Sequence, residues 1–151
     1  MNNIIIDYDS TFIKVESLDE LARLSKNNST KVNNRIKEIT NLGMEGKISF
    51  SESLQERIKL INSDKDDIEK TVLFLKKNIS ESFIRNMSFI RKNHNKIFIV
   101  SSGFHELIDP IVKDYGILNQ NIYANKFLFK NDKIIGFDNE NPLSMSKGKV
   151  N

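Results

Sequence analysis

Three consecutive isoleucines running into Asp7-Tyr8-Asp9-Ser10-Thr11 constrain the fold of this chain more than any other segment. An apolar β-branched run favours a buried strand, predicted here over roughly 3–8. A period of two places Asp7 and Asp9 on one side of an extended chain. Two like charges held at the end of an apolar strand are costly unless a positive charge sits between them. A divalent cation meets that cost, and hard oxygen donors suit Mg²⁺. The strand end is therefore a candidate site for phosphate chemistry. The plainer reading is a strand ending in a polar turn, since Asp and Ser are common turn residues.

At 151 residues the chain has the length of one domain and can bury a core. Its net charge of +3 is too mild to suggest nucleic acid, and no Lys/Arg block stands out. The absence of Cys excludes disulfides, thiolate metal sites and cysteine nucleophiles. No apolar run approaches the ~20 residues that span a bilayer. No basic stretch leading into an apolar one opens the chain. The expected compartment is the cytoplasm, with no membrane and no nucleic-acid partner.

Between the first strand and the next apolar β-rich run the sequence reads as helices. Ser17 and Glu20 have the spacing of a capping box and open a short helix. Val32, Ile36, Ile39 and Leu42 mark a second helix, after which Gly43 and Gly46 bracket a turn. Ser49 and Glu52 form another capping box, ahead of Leu54, Ile58 and Ile61. Helices are further predicted over 66–77 and 80–92. Ile97 to Val100 is then a strand ending in Ser101-Ser102-Gly103, followed by a helix from Phe104 that Gly116 stops. A third strand over 121–125 and a hairpin around 130–132 complete the pattern. Strands separated by helices imply an α/β fold with a parallel sheet and right-handed crossovers. In such sheets ligands sit at the carboxyl ends of the strands, so a helical insert over 17–78 would lie across the site as a lid.

Asp7-x-Asp9-x-Thr11 after an apolar strand resembles the first motif of the haloacid dehalogenase (HAD) phosphatase superfamily. With Glu16 it resembles the superfamily's phosphoserine phosphatases more narrowly. Val100-Ser101-Ser102-Gly103-Phe104 resembles the second motif, except that Ser102 stands where a Gly is expected and its β-carbon narrows the backbone approach. Lys147, followed by Gly148, resembles the lysine of the third motif, with Lys149 as the alternative assignment. Met44-Glu45-Gly46, Phe50, Ser53-Leu54 and Arg57 resemble the cap of the phosphoserine enzymes.

This resemblance implies a Rossmann-like core (1–16 and 79–151) with a helical cap (17–78). It implies a Mg²⁺-dependent hydrolysis of O-phospho-L-serine through an aspartyl-phosphate. Asp7 would be the nucleophile and Asp9 the general acid and base, and both would contribute to Mg²⁺. Ser10, Thr11, Ser101, Ser102, Gly103 and Lys147 would bind phosphate. Glu16 would take the substrate ammonium and Arg57 its carboxylate, with Met44 and Phe50 shielding the site. The family's fourth motif, an acidic loop of the type Gly-Asp-Gly-x-x-Asp, has no counterpart before Asn151. The resemblance therefore implies a core lacking its C-terminal part, with buried faces exposed. Two further readings stay open: a HAD phosphatase for another small phosphate ester, and an inactive fragment that only binds ligand or partner. A homodimer is also left open. His94 and His105 are expected at the surface, and Glu106 and Asp109 solvated.

Overall fold

The computed structural model describes residues 2–144, so Lys147 and Lys149 lie outside the described residues. Three parallel strands form the central sheet in the order β1-β2-β3, with β1 at Ile4–Ile6, β2 at Ile97–Phe104 and β3 at Ile122–Asn125. Ile6, the last residue of β1, pairs with Ile99, and Phe104 pairs with Asn125 at the carboxyl ends of β2 and β3, so the ends of the strands lie side by side. Among the described residues β1 lies at one edge of this sheet, and Ile5 is 71% exposed there.

The segment between β1 and β2 holds α1 (Ser17–Leu24), α2 (Thr30–Met44), α3 (Phe50–Leu60) and α4 (Lys65–Lys76). It continues through α5 (Glu81–Arg85) and α6 (Met87–Lys92). The chain leaves and re-enters the sheet layer at neighbouring points. Ile13 bridges Ile79, Lys14 N–H bonds Asn78 carbonyl, and Ser80 N–H bonds Phe12 carbonyl. After β2 come α7 (His105–Val112), β3, and the antiparallel hairpin of β4 (Phe127–Lys130) and β5 (Lys133–Phe137). Asn131 and Asp132 take left-handed φ values of 48° and 64°, the backbone of a two-residue hairpin turn.

Two aromatic anchors set the loop after β1. Tyr8 and Phe12 are fully buried. The Tyr8 hydroxyl donates to the Leu107 carbonyl of α7 at 2.8 Å. Phe12 packs on Phe83 and edge-on to Tyr115, at centroid distances of 4.6 and 5.0 Å. With these rings pinned in the core, Asp7 and Asp9 on either side of Tyr8 line the opening above the strand ends.

The helices differ from expectation at several points. Ser17 is the first helical residue of α1, not its cap. Glu16 holds the cap position, because the Ser17 N–H is already donated to Asp9. The helix predicted from 66 starts at Lys65, since Asp64 and Asp67 form a capping box that the reading missed. The single helix expected over 80–92 breaks at Asn86, whose side-chain amide donates to the Ser82 carbonyl and competes with the helical ladder. The helix expected from Phe104 to Tyr115 begins at His105 and tightens to a 3₁₀ turn over Lys113–Tyr115 before left-handed Gly116. Gly43 lies inside α2 instead of in a turn. Glu106 and Asp109, expected solvated, are half-buried, as is His105, expected at the surface. Burial pushes the His105 pKa down and the Glu106 carboxyl up.

Candidate active site

A cleft of about 240 Å³ opens between the strand ends and the helices α1 to α3. Its strand-end wall is built largely by local backbone geometry. Asp7 Oδ1 accepts the Tyr8 N–H at 2.8 Å, and Asp9 Oδ1 accepts the Ser17 N–H at 2.7 Å. Between them and α1 the chain reverses through Ser10, held at φ 54°, a left-handed conformation uncommon for a residue with a β-carbon. The Ser10 hydroxyl donates to Glu16 Oε1 at 2.6 Å. That bond ties the first residue after the acidic pair to the entrance of α1.

Burial first, and neighbouring acids second, shift Asp9. Burial, then the charge of Glu16, push its carboxyl up from 3.8 to about 6. The backbone N–H and hydroxyl of Ser17 oppose the shift, and Asp7 adds to it. A carboxyl poised there can both give and take a proton near neutral pH. On the β2 side Ser101 is 1% exposed, and its Oγ accepts the Gly103 N–H at 2.9 Å. Accepting that bond leaves the hydroxyl proton available to an anionic oxygen. Gly103 is required by close approach. A β-carbon there would lie 2.9 Å from Asp9 Oδ2 and 3.1 Å from Ser101 Oγ.

The helical wall is built differently. Arg57 on α3 is 8% exposed. Its Nε donates to the Ser53 carbonyl at 3.3 Å, and Nη1 donates to the Thr40 hydroxyl of α2 at 3.3 Å. Burial pulls the Arg57 pKa down, while the charges of Asp19, Glu16 and Asp9 pull it up. Helices α2 and α3 approach closely because a β-carbon at Gly43 would meet Ser53 Oγ at 2.8 Å and Ser53 Cβ at 2.9 Å. Phe50 lines the cleft half-buried, and Met44 lines it while 65% exposed, at the mouth.

The fold thus gathers Asp7, Asp9, Glu16, Met44, Phe50 and Arg57 around one cleft, together with Ser101, Ser102 and Gly103. Ser10 and Thr11 are not brought into its lining. Ser10 is turned to Glu16, and the Thr11 carbonyl accepts the Ser80 hydroxyl. Thr40, Gly43 and Ser53 line the cleft without having been singled out as site residues. Helical spacing carries their signal: Thr40 lies four residues before Met44, and Ser53 four before Arg57.

The donor set bears on Mg²⁺. Among the described residues no group of three or more His, Cys, Asp or Glu gathers into a metal site. Two carboxylates and nearby backbone oxygens nevertheless fit this ion, which retains waters and is completed by substrate phosphate oxygens.

No family model matches the chain. Over 147 residues it is 26% identical to phosphoserine phosphatase from Homo sapiens, a match covering 97% of this chain and 63% of that protein. A solved phosphoserine phosphohydrolase-like protein from Francisella tularensis is similar with a TM-score of 0.83 and 32% identity, over 97% of this chain and 69% of that one. A structure described as a phospho-aspartyl intermediate analogue of phosphoserine phosphatase is similar with a TM-score of 0.65 and 26% identity, over 88% of this chain and 60% of that one. The chain spans just under two thirds, 63%, of the length of that human relative.

Proposed function

Because the chain belongs to the phosphoserine phosphatase family of the HAD superfamily, we propose that its cleft hydrolyses O-phospho-L-serine to L-serine and phosphate. One observation carries this reading. A paired-carboxylate strand end and a buried arginine face each other across one small cleft, with Glu16 beside them. Paired acids and a buried hydroxyl suit a phosphoryl group. A planar guanidinium suits a carboxylate, and a glutamate suits an ammonium. O-phospho-L-serine carries all three groups on one small skeleton. The cleft is smaller than the roughly 300–1,000 Å³ typical of drug-sized ligand pockets.

Asp7 attacks phosphorus, and the phosphorus–oxygen bond to serine breaks as Asp9 gives its proton to the departing oxygen. The resulting aspartyl-phosphate is opened by a water whose proton returns to Asp9. Asp9 must therefore enter protonated and leave step one ionised, a cycle that a carboxyl near 6 supports. The Ser101 hydroxyl donates to a phosphoryl oxygen. Lys147, outside the described residues, is assigned to the same charge. Ser102 and Gly103 offer backbone at the strand end, and Ser10 and Thr11 keep their assignment to the phosphate only as neighbours of the reacting pair. Arg57 and Glu16 orient the serine moiety, and Met44 and Phe50 limit water at the mouth. The Asp7 carboxylate and the Asp9 backbone carbonyl would hold Mg²⁺, which when bound neutralises charge on the phosphoryl group.

The test is Mg²⁺-dependent release of phosphate from O-phospho-L-serine, with Asp7→Asn as control. Release that disappears in the variant is expected. Release that survives Asp7→Asn would assign the chemistry to another group and overturn the mechanism.

A further inference from the structure

Asp19 has no part in the chemistry above and lies outside the cleft lining, yet it terminates a buried polar chain that ends on Arg57. The Thr40 hydroxyl lies 2.8 Å from Asp19 Oδ1 as donor and accepts from Arg57 Nη1 at 3.3 Å. Its single proton is shared with the Ile36 carbonyl at 3.0 Å. Asp19 itself stands 3.9 Å from Nη1. The three residues come from α1, α2 and α3, so the chain also joins the three helices that face the strand ends.

Two physical facts give this arrangement a purpose. A long arginine side chain at the base of a cleft keeps its head ordered only if something holds it, because otherwise the guanidinium snorkels to water. A direct carboxylate partner would hold it, but through a bidentate pair with N–O distances of roughly 2.7–2.9 Å, and would consume the fork. Here a hydroxyl stands between the acid and the guanidinium. Nε is tethered to Ser53 and Nη1 to Thr40, while Nη2 has no acceptor among the described residues.

We infer that Asp19 and Thr40 are positioning residues that hold Arg57 ready for a ligand carboxylate without occupying the face that binds it. The inference rests on the amino-acid phosphate reading of the cleft. It extends that reading by assigning selectivity for the carboxylate to a residue outside the lining. Burial pushes the Asp19 carboxyl up, against the Thr40 bond and the Arg57 charge, as befits an acid kept inside for its contacts.

The experiment compares, by titration calorimetry in Mg²⁺-free buffer so that no turnover intervenes, binding of O-phospho-L-serine with that of O-phosphoethanolamine, which has the same phosphate and ammonium but no carboxylate. Thr40→Val and Asp19→Asn are expected to reduce the affinity ratio between the two ligands about tenfold, and Thr40→Ser to restore it. An unchanged ratio in Thr40→Val, or equal weakening of both ligands, overturns the inference. Arg57→Ala keeps the underlying reading separate. If the wild-type chain shows no preference and Arg57→Ala changes nothing, the substrate assignment fails. The positioning role is then decided without ligand, from the Arg57 Nε–H resonance. Faster hydrogen exchange in Thr40→Val than in Thr40→Ser upholds it, and an unchanged resonance and exchange rate overturns it.

Discussion

The two walls of the cleft reach similar precision by opposite means. On the strand-end wall, Asp7 and Asp9 are separated by one residue and Ser101 and Gly103 by one residue. The parallel register of Ile6 on Ile99 sets these two short stretches side by side. Backbone donors, the N–H groups of Tyr8, Ser17 and Gly103, do most of the holding. On the helical wall, Asp19, Thr40 and Arg57 span almost forty positions and are held by one another's side chains. The first wall gathers negative charge and shifts an acid upward, whereas the second buries a cation. The strand-end wall should thus respond to substitution in chemistry more than in stability, and the helical wall in the reverse order.

The largest effect is expected at Asp7. On the proposed mechanism, in which Asp7 is the nucleophile, Asp7→Asn should lower phosphate release about 10³-fold or more. Because the residue is exposed, the unfolding free energy should move by no more than about 0.5 kcal/mol. A large loss of stability would erase the contrast between the walls.

Gly43→Ala is the counterpart on the helical wall. Its β-carbon would meet Ser53 at 2.8 Å, so α2 and α3 must part, at a cost of about 2 kcal/mol read by chemical denaturation. A neutral result would mean that the helices have room to separate freely.

Asp9 sharpens the comparison because its chemistry and stability effects have opposite signs. Its folded value, about 6, lies above the ordinary 3.8, so protonation favours the fold. That contribution is fully present below pH 3.8 and is lost as pH rises through about 6. Without added metal, Asp9→Asn should be more stable than the wild type by ~1–2 kcal/mol at pH 8. The gain should shrink as pH falls through about 6 and vanish near 3.8, while phosphate release is lost throughout. Equal stability of the two proteins from pH 4 to 8 would mean that Asp9 is not perturbed.

Ser49→Ala should have the smallest effect. It removes the cap of α3, where Ser49 Oγ accepts the Glu52 N–H and the Glu52 carboxylate accepts the Ser49 N–H, and should cost about 1 kcal/mol of stability. A change in ligand affinity beyond that loss would show that the start of α3 also sets the position of Arg57, about two turns further along the helix.

Legibility in the sequence followed the same division. The isoleucine run, the acidic pair and the Ser-Ser-Gly strand end could be read directly, because their chemistry lies within a few residues, although the strand expected over 3–8 stops at Ile6 and the turn capped by Asp7, not a strand's period, places the two acids. The hairpin around Asn131 and Asp132 was legible for the same reason. Asn86 escaped because a helical pattern runs through it, and only its bond to Ser82 reveals the break. Glu106 read as solvated because nothing local indicates that the start of β4 returns over it, where the Phe127 N–H donates to its Oε1.

The sequence by itself determined the parallel α/β plan, the acidic strand end, the helical insertion after it and most of the residues facing the cleft. Period, capping and turn chemistry are short-range and act wherever those residues occur. Only the tertiary structure decided that Gly43 is a contact point, that Ser17 spends its N–H on Asp9, and that Asp19 reaches Arg57 through Thr40. Each depends on distances between elements far apart in the chain. Those distances are set by packing of the whole core, which no local pattern encodes.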